Sequence, residues 1–250
     1  TPWFGMKRPV KQTATHRMSA PVGGIIASAG DMARYLAMMM NGEDDIISAA
    51  SKAEMMRPAS DVSPFYGFGW YVDTDRGTVS HTGLTPGVET LAIMVPAERK
   101  GAVVLVNSGS GMGFGESTDL FNGIAAKALG LDFVEAGAAG RWSRQALFLT
   151  FALLPVLFGI SMVQSWRLRT GLRAKSGLFG AFSLWFPLVM TLALAWTCVF
   201  LIPQLFGVSI GTLQLFSPDL ALVLMASALT GVTWAVFRLG LFYGGKSASG

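Results

Sequence analysis

The sequence predicts an α+β fold, an antiparallel sheet with packed helices, followed by an all-α region of three membrane helices. Three observations carry this. Four strand-like runs between residues 65 and 106 follow one another through turn-length connections, which implies a meander. Helical periodicity flanks the runs on both sides. After residue 145 the acids almost vanish: residues 1–144 hold 13 basic and 14 acidic side chains, and residues 145–250 hold six and one. The apolar fraction of 52% against 14% charged is too lopsided for an ordinary soluble chain. The net charge of +4 sits on the flanks of the apolar segments. The soluble part lacks clustered Lys/Arg interleaved with aromatics, which excludes a nucleic-acid partner.

Residues 1–27 are broken by Pro2, Pro9, Pro21, Gly5, Gly23 and Gly24 into loops and turns. His16 lies among polar neighbours and reads as an exposed histidine. The first firm element starts at Ser28, a helix cap, with Asp31 favouring the exposed amides of the first turn. Met32, Tyr35, Leu36, Met39 and Met40 then share one face, and Asn41-Gly42 ends the helix. Ser48 opens a second helix that Pro58 stops. Asp44 and Asp45, without other ligands at useful spacing, read as a solvated turn and no metal site.

From Phe65 the pattern becomes that of strands. Residues 65–72, aromatic and glycine-laced, read as a strand packed closely on a neighbour. Residues 78–81 form the next short strand, 82–87 a turn, 88–95 a third strand, 96–101 a charged turn and 102–106 a fourth strand. The glycines of 107–115 lack the lysine and strand-to-helix context of a phosphate loop and read as a connection. A helix is expected over 117–129, covering the sheet with Leu120, Ile124 and Leu131, and residues 135–145 as a linker.

Residues 146–163, 178–202 and 220–237 are apolar over spanning or near-spanning length, interrupted tolerably by Pro155 and Pro187. Arg167, Arg169, Arg173 and Lys175 follow the first segment, so the positive-inside rule places that loop in the cytoplasm. The expectation is a multi-pass protein of the cytoplasmic membrane, with residues 1–134 extracytoplasmic and 239–250 a cytoplasmic tail. Arg141 and Arg144 oppose this mildly. The uncharged loop 203–218 is expected at the outer interface. No ionisable residue lies mid-segment, which argues against an ion-coupled transporter. Ser227 and Gly231, four apart, suit a close helix contact. The sole cysteine, Cys198, lies in an apolar segment, which leaves no intrachain disulfide.

One stretch joins these observations to chemistry: Ser80-His81-Thr82-Gly83-Leu84-Thr85-Pro86-Gly87, with one of the chain's two histidines. It comes in order with Phe4-Gly5-Met6, the run from Pro21-Val22-Gly23-Gly24 to Arg34-Tyr35-Leu36, Tyr66-Gly67-Phe68-Gly69-Trp70, and Val103-Val104-Leu105-Val106-Asn107. Over about residues 1–130 this series resembles the serine beta-lactamase-like and penicillin-binding-protein-like hydrolases, in their class C or esterase-type branch, and covers the C-terminal part of their transpeptidase fold. The resemblance implies attack on an amide or ester carbonyl by a serine of an S-x-x-K motif, with a Y-x-N tyrosine handling the proton and a K-T-G or H-x-G strand bordering the pocket. It places His81 at the Lys/His position of that strand. Thr82 then offers a hydroxyl to substrate, Gly83 allows close approach, and the Leu84 amide serves as oxyanion donor. Leu84 departs from a glycine often found there, which narrows the pocket. The implied partners are a small amide, ester or cell-wall peptide and the lipid bilayer, with no metal and no organic cofactor.

The nucleophile itself is missing from the pattern. None of the seven lysines has a serine three residues before it, and none of Tyr35, Tyr66, Tyr71 and Tyr243 begins Y-x-N. A Ser-His-Asp triad on His81 finds no support in residues 1–144, which hold no G-x-S-x-G elbow. In this family both motifs precede the matching segment, so the expectation is an N-terminally truncated chain, inactive as it stands. The alternative is a non-catalytic, penicillin-binding-like sensory or peptide-binding module with a membrane anchor.

Overall fold

The computed structural model describes residues 1–4, 6–10, 23–109, 116–133 and 138–244. Gly5, Lys11, His16, Pro21, Val22, residues 110–115 and 134–137, Lys246 and the side chains of Arg141 and Arg144 lie outside the described residues, with the expectations attached to them. The chain divides into two units: one built on Lys7–Gly111 and Gly115–Ala136, the other on Gly137–Gly250 with the Pro2–Met6 segment.

Two-residue strands β1 (Pro2–Trp3) and β2 (Met6–Lys7) open the chain. Helix α1 (Ala29–Met40) starts as expected, the Ser28 hydroxyl oxygen accepting from the Asp31 N–H at 3.1 Å. The Ser28 hydroxyl in turn donates to Asp31 Oδ2 at 2.7 Å, which, with the Arg34 guanidinium, holds that carboxyl below its ordinary range. Leu36 and Met39 of the expected face are buried. At its end Arg99 donates from Nε to the Met40 carbonyl at 3.2 Å and from its terminal nitrogen to that of Asn41, satisfying carbonyls the helix leaves open. Helix α2 (Ala49–Met55) is capped by Ser48, and the Asp44 carboxylate accepts from the Ala49 N–H at 2.8 Å.

Asp44 and Asp45 are exposed, as expected of a solvated turn, and Lys52 reaches that turn from inside. Lys52 is 1% exposed. Its ammonium donates to Asn41 Oδ1 at 3.0 Å and to the Glu43 carbonyl at 2.9 Å, and meets Asp45 Oδ1 at 2.6 Å. Three donors thus find three acceptors, which satisfies the hydrogen-bonding capacity of the buried ammonium. Asp44 is also a helix cap.

Strands β3 (Tyr71–Asp73), β4 (Thr78–Thr85), β5 (Val88–Val95) and β6 (Lys100–Val106) form one antiparallel sheet in chain order, the expected meander. The α+β expectation holds. Alternate residues face opposite sides. Val79 and Met94 pack with Trp70 under Leu36 and Met39 of α1. On the other side Leu91 and Val104 pack against Phe121 and Ala125 of α3 (Glu116–Leu129). Leu120 and Ile124, expected to cover the sheet, are instead 52% and 46% exposed. They lie one position away from the buried stripe Phe121-Ala125-Leu129, a rotation of about 100°.

Two strand expectations also change. Residues 65–70 form no strand: the Gly67 N–H donates to the Trp70 carbonyl at 2.8 Å and Gly69 has φ +81°, so the chain turns and β3 begins only at Tyr71. Conversely, β4 runs through Thr85, and only Pro86 and Gly87 turn, Gly87 at φ +82° in the position a type II turn requires.

In the helical unit α4 (Ala138–Arg167) leads to the short α5 (Arg169–Arg173). Helix α6 (Gly177–Trp196) continues through a π turn at Thr197–Leu201 into α7 (Ile202–Leu205). The short α8 (Ile210–Phe216) precedes α9 (Pro218–Tyr243). Gln145–Arg167, Gly177–Leu205 and Pro218–Tyr243 are long and apolar enough to cross a membrane, with mean hydropathies of 2.3, 2.0 and 2.0. Small residues bring the helices together: a Cβ on Gly231 would stand 3.0 Å from the Phe158 ring, and the Ser227 hydroxyl donates to the Phe151 carbonyl at 2.9 Å. Asp219 is buried at the start of α9, where Oδ1 accepts from Leu220 N–H at 2.8 Å and Oδ2 from Phe4 N–H at 3.1 Å.

Two outcomes follow for the sheet unit. A Cβ on Gly67 would lie 2.4 Å from the carbonyl oxygens of both Met55 and Arg57, backbone atoms with little room to yield. Gly67→Ala is expected to destabilise the unit by about 2–3 kcal/mol, read as lost amide protection in residues 66–73 by hydrogen exchange. The Lys52 ammonium, then the Asn41 amide, hold the Asp45 carboxyl down to about 2. A carboxyl depressed in the folded state contributes stability above its unfolded value near 4. That contribution disappears as the pH falls from there through about 2. Urea unfolding should therefore weaken over this window in the parent chain and weaken less in Asp45→Asn.

Candidate functional site

The candidate site is an edge that the sheet leaves open. Toward β5, strand β4 is paired from Val79 opposite Met94 to Thr85 opposite Val88. Toward β3 the ladder sets Thr78, Val79 and Ser80 against Asp73, Val72 and Tyr71 and goes no further. His81, Thr82, Gly83, Leu84 and Thr85 are exposed and, among the described residues, have no strand on that side. Antiparallel geometry turns the N–H and C=O of every second residue outward along such an edge. These are donors and acceptors held in place before any substrate arrives.

The four residues singled out in the sequence stand together on this edge but divide between the faces of the sheet. His81 and Gly83 point to the α1 side with Val79, and Thr82 and Leu84 to the other. Gly83 is paired with Thr90, and a Cβ there would stand 2.4 Å from the Thr90 hydroxyl oxygen. The space above Gly83 is thus partly taken by a neighbouring strand's hydroxyl. Leu84 is 56% exposed, opposite a buried Glu89.

His81 is held by aromatic rings that the sequence reading did not connect with it. Its ring stacks on Tyr71, with centroids 5.6 Å apart and planes at 29°, and meets Tyr66 edge-on at 6.2 Å. Tyr66 and Tyr71 touch each other in a T-shaped contact at 4.9 Å. The Tyr66 hydroxyl lies 3.2 Å from His81 Nε2. With the ring proton on Nδ1 the phenol, the stronger donor of the pair, donates to Nε2; in the other neutral tautomer Nε2–H donates to the phenol oxygen. The described hydrogen-bond partner of His81 is therefore a phenol, and no Asp is bonded to it among the described residues. The signal for Tyr66 was in the sequence, in the Tyr66-to-Trp70 run, but reading that run as a strand hid it. The turn at residues 67–70 is what brings Tyr66 and Tyr71 together.

Chemically, an edge of outward amides beside an imidazole, a free-standing hydroxyl and a glycine can bind a carbonyl compound and stabilise the charge that develops on its oxygen. A cleft of about 430 Å³ lies on the β6 side of the sheet, lined by Ala33, Met40, Glu43, Arg99 and Gly101 among others, and holds none of His81 to Leu84.

A family model described as Beta-lactamase matches residues 2–127, half of the chain, and takes in the sheet, its open edge and nearly all of α3. No curated protein matches the chain.

The Tyr66 contact gives a direct test of the site's geometry. A single partly exposed hydrogen bond contributes about 0.5–1.5 kcal/mol, so Tyr66→Phe should change the ratio of the two neutral His81 tautomers by roughly two- to tenfold. Imidazole nitrogen shifts in ¹⁵N-labelled protein report that ratio, with the parent expected to favour the proton on Nδ1. An unchanged ratio would mean the phenol does not orient the ring.

Proposed function

The chain belongs to the beta-lactamase family, and we propose that it forms the pocket-edge portion of a membrane-anchored serine hydrolase that attacks an amide or ester carbonyl. A beta-lactam, a D-amino-acid peptide of the cell wall and a small ester all suit this reading. The observation that supports it is the open β4 edge at His81, Thr82, Gly83 and Leu84, the residues that this reading sets at the border of the pocket. In this reading the outward amides bind the substrate carbonyl, with the Leu84 N–H as the strand-side oxyanion donor. The His81 imidazole, oriented by Tyr66, and the Thr82 hydroxyl contact the rest of the substrate. The acyl-enzyme step needs a serine and a base that these 250 residues do not present as S-x-x-K and Y-x-N. On its own the chain is therefore expected to be inactive.

The same reading takes residues 1–134 as hydrolase region, 135–145 as linker, 146–238 as membrane region and 239–250 as tail. Arg167, Arg169, Arg173 and Lys175 support a cytoplasmic position for the first helical loop, and so an extracytoplasmic hydrolase region and a cytoplasmic C-terminus. A second reading, a non-catalytic penicillin-binding-like module that senses or binds wall peptides, is favoured by the missing S-x-x-K and Y-x-N.

One experiment separates these. Intact cells carrying the native protein that contains this chain are treated with a membrane-impermeant fluorescent penicillin and with a membrane-impermeant fluorophosphonate. A covalent adduct is expected from outside with at least one probe, and the isolated 250-residue chain should remain unlabelled. Labelling only after the cells are opened would overturn the orientation. No adduct in either state would sink the acyl-enzyme reading and leave the binding module.

A further inference from the structure

Three cations of the helical unit meet at one end and, among the described residues, have no carboxylate partner. Arg173 on α5 donates from Nε to the Leu241 carbonyl of α9 at 3.1 Å. Arg238 of α9 donates to the Ser183 carbonyl of α6 at 3.0 Å, and Lys175 donates to the Ser183 hydroxyl. Two of these cations thus share one serine of α6, and the third bonds to Leu241, three residues along α9 from Arg238. Every described acceptor they use is a neutral carbonyl or hydroxyl, so no carboxylate among the described residues offsets their mutual repulsion. The one acid after residue 138 is Asp219. It stands nineteen residues before Arg238 on the same helix, about 28 Å away along the axis, and is already bonded to the Leu220 and Phe4 amides.

We propose that Lys175, Arg238 and Arg173, around Ser183 and Leu241, bind the phosphate of an anionic phospholipid headgroup. A phosphate supplies both the missing charge and acceptors for the N–H groups that the neutral partners leave over. The surroundings are those of a headgroup more than of a free ion. Trp166, with the Arg169 guanidinium 4.8 Å above its ring, and Trp234, with that of Arg238 at 5.8 Å, lie at the same end. Tryptophans of this kind mark the interfacial level of a bilayer. Phe182, next to Ser183, and Phe186, one turn further along α6, stack at 4.9 Å and are exposed, a surface for an acyl chain beside the phosphate. Lys175 and Arg238 are half-buried and Arg173 is exposed, while Arg167 is exposed and Arg169 is half-buried beside Trp166. A headgroup site depends on the first two, and diffuse attraction to a charged bilayer would count all the cations alike.

The inference rests on reading the three long helices as membrane-spanning, and the test separates the two. The full chain, extracted in neutral detergent, is presented with phosphatidylglycerol, with phosphatidylcholine of the same acyl composition, and with inorganic phosphate, and bound probe is read by native mass spectrometry. Retention of phosphatidylglycerol is expected to exceed that of phosphatidylcholine by about tenfold or more, and to fall by a similar factor in Lys175→Gln/Arg238→Gln. Arg167→Gln/Arg169→Gln should change it by less than about threefold. If the first double variant does not insert, its two single substitutions are read in the same way. Equal retention of both lipids, equal losses in the two double variants, or inorganic phosphate displacing the lipid would each overturn the headgroup site. Recovery of the chain in the soluble fraction without detergent would overturn the membrane reading itself.

Discussion

The geometry of the candidate site depends on one backbone-to-backbone contact. Gly67 lies so close to the carbonyls of Met55 and Arg57 at the end of α2 that no side chain fits between them. The Phe68 N–H donates to that same Met55 carbonyl at 3.1 Å, and the chain then closes on itself from Gly67 to Trp70. This turn has two consequences. It buries Trp70 beneath α1, where its ring stacks with Tyr35 at 6.2 Å. It also delays β3 until Tyr71, which leaves too few residues before Asp73 to cover β4 beyond Ser80. The open edge at His81–Thr85 is what remains, and the tyrosines on either side of the turn are set against the histidine that begins it.

Buried charge is handled differently in the two units. In the sheet unit Lys52 is enclosed with one carboxylate, one amide oxygen and one carbonyl, so each donor is matched and the ion pair also fixes the loop between α1 and α2. Such a pair adds little net stability, but removing the Asp45 carboxylate is costly because Lys52 stays buried with one partner fewer. In the helical unit the cations meet only neutral oxygens. Among the described residues, no carboxylate stands at that end to oppose them.

Much of this architecture was legible because the controlling signals are local. Ser28, Asp31 and Ser48 act within one helical turn, and the meander follows from strand runs too closely spaced for crossovers. What was not legible depends on partners distant in sequence. Thr82 to Leu84 resembles a turn when read alone because it is polar and holds a glycine; β5 makes it strand by pairing with it residue for residue. Leu120 and Phe121 offer α3 two apolar stripes, and only the sheet decides that the Phe121 stripe is buried. A lysine such as Lys52 reads as surface until a loop eleven residues away is known to close over it. In the candidate site the edge residues were legible by position. The tyrosine contacts were not, since they require the turn at residues 67–70.

An unpaired edge is a hazard for a sheet, since exposed backbone donors and acceptors recruit other strands. Strand β4 limits that hazard in ways that also suit substrate access. The open stretch is five residues long, carries His81, Thr82 and Thr85, and ends at Pro86, which has no N–H to extend the ladder. Tyr66 and Tyr71 stand at its near end, where an incoming strand would have to continue into β3. A second sheet finds too short a register there to add stably. A small carbonyl compound needs only one or two outward amides. The features that make the edge a poor template for another chain therefore leave it accessible to a small amide or ester.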